Sequence, residues 1–323
     1  MKAFILEAAG GAENLQMKDL AIPVINNSEV LIQVKAISVN PVDVKSRADE
    51  DMLSWVAGDD RPVILGWDVS GVITAIGGSV NEFKVGDEVF GMINVDVLGT
   101  GETLGKGRAY AEYVAAPISH LTLKPKNCSH TTAVAATMAA MTAWQALVAG
   151  QIKKGDKVLV HAAAGGVGHF AVQMAKHLGA YVIGTSSAAN RDFVLSLGAD
   201  EHIDYNNQRF DEVVENIDLV INTIIGETLS RSINVVKVGG RIITLPTWEI
   251  PLKDIEDSKA KGVHIKYILV RSNGEDMKRI ASLIENECIK PHIQKIFSFE
   301  DMPLAHKEVE KWRTVGKIVV EIN

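Results

Sequence analysis

The run Ala163-Ala164-Gly165-Gly166-Val167-Gly168 has the residue types and spacing that let a phosphate meet backbone, as a variant of G-x-G-x-x-G with alanine in the first position. A strand can turn into a helix within so few residues only where a missing Cβ or a positive φ is tolerated, which is glycine's property. The N–H groups of a helix's first turn have no carbonyl partner, and the helix dipole favours an anion there. Ala164, Gly165, Gly166, Val167 and Gly168 are therefore the expected pyrophosphate contacts of a dinucleotide. A glycine triplet alone fits any tight turn, so the flanking pattern decides. Val158–Val160 reads as a short buried strand, and Phe170, Ala171, Met174, Ala175 and Leu178 recur at helical spacing. Gly179 ends that helix and Tyr181–Thr185 supplies the next strand.

The choice of dinucleotide turns on the end of that second strand. A site for NAD usually places Asp or Glu there to hold the ribose 2′-OH. This chain has Thr185, Ser186 and Ser187, and the next acid, Asp192, falls inside a helical pattern. Arg191 is close in sequence, and Tyr205 ends the third strand. Singly, Arg191 reads as an exposed helix residue and Tyr205 as a strand-end aromatic. Together, hydroxyls and one guanidinium suit a 2′-phosphate that a carboxylate would repel, so NADP(H) is the expected cofactor. Thr223 and Leu245, at the ends of two later strands, complete the expected contacts.

Around the motif, strands and helices alternate in the manner of a doubly wound parallel α/β sheet. Strands are expected at Asp218–Thr223, Arg241–Leu245 and His264–Val270, with a helix at Glu227–Val236 and an Ala/Met-rich helical stretch at Ala133–Ala149. Residues 1–121 read as β-rich. Met1–Glu7, Val30–Val39, Val63–Ile64, Val69–Ile76, Glu88–Met92 and Ala111–Ala115 are strand candidates punctuated by Gly and Pro, which suggests a barrel-like antiparallel domain. The Gly/Thr-rich stretch 94–108 is expected to be an exposed, mobile loop. A helix at Glu275–Asn286, a strand at Ile293–Ser298, a helix at Met302–Trp312 and a strand at Lys317–Ile322 close the chain.

At 323 residues the chain is long enough for two cored domains, and 47% hydrophobic with 23% charged residues describes a soluble globular protein. A net charge of -7 argues against nucleic acid and anionic membranes as partners. No apolar run has the length of a membrane span, and the start lacks a signal-peptide core. The two cysteines, Cys128 and Cys288, make no disulfide framework and fit a reducing cytoplasm. Cys128 with His130 is too few ligands for a metal.

The chain resembles the medium-chain dehydrogenase/reductase superfamily, and within it the zinc-independent quinone oxidoreductase branch. The resemblance spans nearly the whole length: MKAFILEAAGGAENL at the start, SVNPVDVKSR at 38–47, LGWDVSGVITAIG at 65–77, FKVGDEVFGM and AYAEYVA at 109–115. It continues through MTAWQAL at 141–147, the glycine motif, FVLSLGADEHIDY, VKVGGRIITL and GKIVVEI. It implies a GroES-like β-barrel domain at 1–121, a Rossmann NADP(H)-binding domain inserted at 122–290, and a return to the first domain at 291–323. The cofactor would then lie in the interdomain cleft.

The resemblance also carries a departure. Zinc alcohol dehydrogenases of the superfamily have a catalytic Cys where Asn40 stands and a His-Glu pair where Trp67 and Asp68 stand. Their structural zinc needs four close cysteines, and residues 85–120 contain none. An amide and an indole cannot replace thiolate and imidazole, so no zinc is expected and no Lewis acid for alcohol oxidation. Acceptors that take hydride readily, quinones or α,β-unsaturated carbonyls, are then the implied substrates. In N-P-V-D-V-K, Asn40 offers an amide donor, Asp43 can hold neighbouring groups, and Lys45 can place an ammonium near a developing enolate. Related alkenal/enone reductases share N-P-x-D-x-K with the lysine near the substrate. The alternatives are a surface cation at Lys45, and Asn40 and Asp43 that merely brace the turn at Pro41. Thr142 resembles the family threonine beside the nicotinamide. A homodimer paired along His264–Val270 is the family expectation. The competing reading is an NADPH-binding redox sensor or structural protein with little turnover.

Overall fold

Alternating apolar residues set up the first strands. In the computed structural model, which describes residues 1–94, 105–247 and 249–322, β1 (Lys2–Leu6) buries Ala3 to Leu6 and pairs antiparallel with β2 (Leu15–Asp19). β3 (Glu29–Val39) is longer, and its Val30, Ile32 and Val34 face the core at period two. Two helices follow that the β-rich reading did not anticipate, α1 (Pro41–Ala48) and α2 (Glu50–Ala57). Their start signals are local: Pro41 opens α1, and the Asp49 side chain caps α2 by accepting the Met52 N–H at 2.9 Å.

β4 (Asp68–Ile76), β5 (Glu88–Met92), β6 (Tyr113–Pro117) and β7 (Leu121–Leu123) continue the antiparallel set. The strand expected at Val63–Ile64 is a single bridge from Val63 to Leu6. Of the expected loop at 94–108, residues 95–104 lie outside the described residues. Its described end is only partly exposed: Gly105, Lys106 and Gly107 are buried, with Lys106 paired to Asp60, while Arg108 is exposed.

The helical stretch expected at 133–149 is two helices, α3 (His130–Ala135) and α4 (Met138–Ala149). The break has a physical cause. Thr137 turns its hydroxyl back to the Val134 carbonyl at 2.6 Å, and the N–H of Met138, first in α4, donates to the Asp68 carboxylate at 2.9 Å. A carboxylate at a helix N-terminus is favoured by the unpaired N–H groups and the dipole.

The parallel region comprises β8 (Lys157–Val160), α5 (Gly168–His177), β9 (Tyr181–Ser186), α6 (Arg191–Ser196) and β10 (Glu201–Asp204). After a short α7 (Phe210–Val213) come β11 (Ile217–Asn222), α8 (Glu227–Val235), β12 (Val236–Thr244), α9 (Leu252–Lys261) and β13 (His264–Tyr267). All pairings are parallel, in the order β10-β9-β8-β11-β12-β13. Chain order reverses between β8 and β11, the switch point at which such sheets bind ligands. Leu159, Ile183, Val220 and Ile242 from the strands pack with Leu229 and Ile233 of α8.

The chain closes with α10 (Gly274–Glu285), β14 (Ile293–Ser298), α11 (Met302–Val309) and β15 (Lys317–Glu321). β15 pairs antiparallel with β3, so the second sheet runs β14-β15-β3-β4-β5-β7 with β6 also on β3. The fold is thus a doubly wound parallel sheet inserted into a largely antiparallel β domain.

Two compact units result, Met1–Met141 with Arg271–Glu287 and Pro291–Asn323, and Thr142–Val270 with Cys288–Lys290. The division differs from the expected 1–121, 122–290 and 291–323. Residues 122–141 belong to the first unit because α3 packs against β3, β4 and β15. Residues 271–287 do so because α10 packs on β7, so closely that a Cβ on Gly274 would lie 2.9 Å from the Ser119 carbonyl oxygen. Residues 288–290 stay with the second unit, where Gln173 bonds both the N–H and the C=O of Lys290 at 2.7 and 3.2 Å. Among the described residues no helix is long and apolar enough to cross a membrane.

Candidate functional site

In the parallel unit, β8 gives way to a turn through Ala162, which takes φ 49°, and Gly165 N–H closes the turn on the Ala162 carbonyl at 2.8 Å. α5 then starts against that turn. A Cβ on Gly168 would sit 2.1 Å from the Ala162 carbonyl oxygen and 2.8 Å from the Ala163 Cα, so only glycine allows this approach. The N–H groups of Gly166, Val167 and Gly168 lie where no preceding helical carbonyl can reach them. Unpaired N–H groups at a helix start are the kind of donors that an anion such as a pyrophosphate requires.

Most of the remaining expected contacts follow the carboxyl ends of the strands. Thr185 accepts the Ala163 N–H on its carbonyl at 2.9 Å. Ser186 Oγ lies 2.7 Å from His202 Nε2. Ser187 is half-buried beyond it. Arg191 is exposed and ion-paired to its neighbour Asp192 at 3.3 Å, and Tyr205, just past β10, is 61% exposed. Thr223 donates its hydroxyl to the His161 carbonyl at 3.0 Å, and the Leu245 N–H donates to the Asn222 carbonyl at 3.0 Å. Thr142 is buried in α4.

Sequence reasoning missed Asp204. Parallel register sets it beside Ser186, and its carboxylate accepts N–H groups of Ala188 at 3.1 Å and Asn206 at 3.2 Å and the Asn207 amide at 2.5 Å. Partial desolvation works to raise its pKa, but the bonds from Asn207, Asn206 and Ala188 outweigh it and hold the carboxyl below its ordinary value. Also missed was a cavity of about 320 Å³ beside the ends of β11 and β12, lined in part by Asn222, Ile224, Leu229, Thr244 and Pro246.

In the other unit, Asn40 is buried at the start of α1, and its N–H donates to Asp43 Oδ2 at 2.7 Å. Its side-chain amide donates to Asp68 Oδ2 at 2.8 Å and approaches the Ser38 carbonyl at 3.4 Å, while its oxygen accepts from Lys317. Asp43 is fully buried, and Oδ1 has no hydrogen-bond partner. Burial is the largest cause pushing its pKa up to about 7; the Asn40 N–H opposes that shift and the nearby Asp68 charge adds to it. Tyr110, also buried, lies close to Asp43 and its hydroxyl is 3.0 Å from His306 Nε2. Burial keeps that imidazole neutral, with its pKa lowered to about 3.

The structure thus brings Asn40 and Asp43 together and adds Asp68 and Lys317. It sets Lys45 apart, on the exposed face of α1 with its Nζ 6.0 Å from the Trp312 ring centroid. Trp67 is fully buried and its indole N–H donates to the Gly105 carbonyl at 2.8 Å. Among the described residues no three His, Cys, Asp or Glu side chains are placed to share a metal ion.

Comparison with known proteins agrees with this architecture. Residues 26–126 match the alcohol dehydrogenase GroES-like domain family, and residues 197–320 the family described as zinc-binding dehydrogenase. The chain is 33% identical to 2-methylene-furan-3-one reductase of Solanum lycopersicum, over 99% of this chain and 79% of that protein. It is 32% identical to the chloroplastic NADPH-dependent alkenal/one oxidoreductase of Arabidopsis thaliana, over the same shares. The solved quinone oxidoreductase of Coxiella burnetii superposes with a TM-score of 0.90 at 32% identity, covering 100% of this chain and 99% of that one. The chain belongs to the medium-chain dehydrogenase/reductase superfamily of oxidoreductases, among its quinone and alkenal/one oxidoreductases.

Proposed function

We propose that the chain is an NADPH-dependent, zinc-independent reductase of quinones or α,β-unsaturated carbonyls. The glycine cradle at Gly165–Gly168, at the switch point of the parallel sheet, carries the reading. When bound there, a nicotinamide dinucleotide supplies a hydride. The protein's part is to hold the cofactor and to stabilise charge on the acceptor oxygen.

NADPH over NADH rests on Ser186, Ser187, Arg191 and Tyr205. Asp204 opposes it, but its charge is already met by N–H donors of Ala188, Asn206 and Asn207. A charge-assisted contact to a 2′-phosphate is worth roughly 1.5–3 kcal/mol, so NADPH should bind at least about tenfold tighter than NADH. Arg191→Ala should narrow the difference while NADH still binds. Equal affinities for the two cofactors in a titration of the wild-type protein would sink this assignment.

Asn40 and Trp67 both have their polar atoms engaged by protein groups, which supports chemistry without zinc. NADPH consumption should therefore proceed on chelated protein with a panel of quinones and enones. No turnover with any of them would favour the redox sensor, and a requirement for zinc would favour an alcohol dehydrogenase.

Lys45 presents its ammonium to solvent beside Trp312, and its assignment to the substrate rests on the N-P-x-D-x-K resemblance. A charge that counts only as the acceptor oxygen becomes negative acts on kcat. Lys45→Met should lower kcat with enones roughly 10²–10³-fold and leave the NADPH Kd unchanged, if the ammonium equals an oxyanion donor. Full kcat would make Lys45 a surface cation. A homodimer paired along His264–Val270, of which β13 forms the first four residues, is the family expectation, decided by mass in solution. The cytoplasmic placement rests on cysteine usage, and relatives' printed names include a chloroplastic one.

A further inference from the structure

Two side chains from distant parts of the first unit meet at the Asn40 amide. Lys317, 3% exposed, donates from Nζ to the amide oxygen. The amide nitrogen donates to Asp68 Oδ2 at 2.8 Å, and Asp68 Oδ1 accepts the Met138 N–H at 2.9 Å. An ammonium can only donate and a carboxylate can only accept, so the two ends of the amide are not interchangeable. Rotating it by half a turn would set its NH2 against the ammonium and its oxygen against the carboxylate, losing two charge-assisted bonds and gaining two repulsive contacts. The backbone of Asn40 is fixed separately, by Asp43 Oδ2.

We propose that Lys317 is a positioning residue: its ammonium selects one rotational state of the Asn40 amide, with nitrogen toward Asp68, so that Asn40 can offer a ligand a donor and not an acceptor. The proposal rests on the reading of Asn40 as part of the substrate site. The N–H left to give is the one only 3.4 Å from the Ser38 carbonyl, a weak contact that a better acceptor can replace.

Selection needs Lys317 protonated. Burial is the largest influence and leaves its pKa below the ordinary lysine value, against the opposing charges of Asp68 and Asp43. The other elements packed on β15 add little charge. α11 brings His306, held neutral, and α3 brings His130, bonded to Ser70 and Glu88. β14 brings Lys295, which lies over the Phe297 ring, β3 brings the half-buried Lys35, and the turn before α11 brings exposed Glu300 and Asp301.

The test combines kcat with the side-chain amide resonances of Asn40, assigned by their loss in Asn40→Ala. Lys317→Met alone would strand buried carboxylates, so it is paired with Asp68→Asn, which removes both charges. The double variant should fold, keep the NADPH Kd, lose roughly tenfold or more in kcat with enones, and shift the Asn40 amide resonances. Adding Asn40→Ala should then lower kcat no further, since groups acting as one unit are non-additive. Lys317→Arg should restore part of kcat and move the alkaline limb of the kcat profile upward, because a guanidinium stays charged. Wild-type kcat in the double variant, with Asn40→Ala impaired, would overturn the proposal. If Asn40→Ala keeps full kcat, the substrate role of Asn40 fails. The resonances then decide positioning: amide signals that respond to Lys317 uphold it, and unmoved signals overturn it.

Discussion

Gly168→Ala should destabilise the protein and raise the NADPH Kd, although alanine is the better helix former. Two effects oppose each other. Alanine in a helix is worth about 1 kcal/mol over glycine. Against that, its Cβ would lie 2.1 Å from the Ala162 carbonyl oxygen and 2.8 Å from the Ala162 carbonyl carbon. These are backbone atoms, so no rotamer change relieves the contact; the helix must withdraw from the turn. Overpacking of that kind costs roughly 1–3 kcal/mol, and the displaced first turn carries the donors proposed for the pyrophosphate. The clash should win. We expect a lower Tm and at least tenfold weaker NADPH binding, read as the loss of NADPH-induced thermal stabilisation. Gly165→Ala is the milder comparison, because its added Cβ would be 3.2 Å from the same oxygen. A wild-type Tm and Kd in Gly168→Ala would mean that close approach is not what this glycine provides.

Stability should fall as pH rises toward and past neutrality, and Asp43→Asn should remove that part of the fall. The Asp43 carboxyl is raised from 3.8 to about 7 in the folded chain, chiefly by burial. Between those pH values the native state keeps a proton that the unfolded chain has released. The contribution is therefore fully present below about pH 3.8 and lost as the pH passes through about 7. A shift of about three units corresponds to roughly 4 kcal/mol. Asparagine keeps an oxygen to accept the Asn40 N–H but never ionises. Urea unfolding at pH 5.5 and pH 8 should show the variant gaining on wild type at the higher pH. A difference between the two proteins that does not change with pH would remove Asp43 as the titrating group. Lowered carboxyls such as Asp211, held down mainly by its bond to Arg231, act oppositely and in a more acid range.

What the sequence determined by itself was local. Strand, glycine turn, helix and strand follow one another within Lys157–Ser186, and each signal lies within a few residues of the element it specifies. The start of α1 was equally local, since Asn40, Pro41 and Asp43 lie within one helical turn, although the β-rich surroundings hid it. What only the tertiary structure decided depended on strands arriving from elsewhere. Asp204 reaches Ser186 because β10 docks in parallel register on β9, so the acid that the end of β9 lacks comes from the next strand. The break between α3 and α4 depends on Asp68, which waits on β4 for the Met138 N–H. Lys317 meets Asn40 because β15 pairs with β3, Ile318 opposite Val39, which carries a lysine from the end of the chain into a buried site near its beginning. Hydrophobic periodicity placed these strands but said nothing about which polar side chains they would bring together. That pairing is set by sheet register, where a shift of one residue would turn Lys317 to the other face.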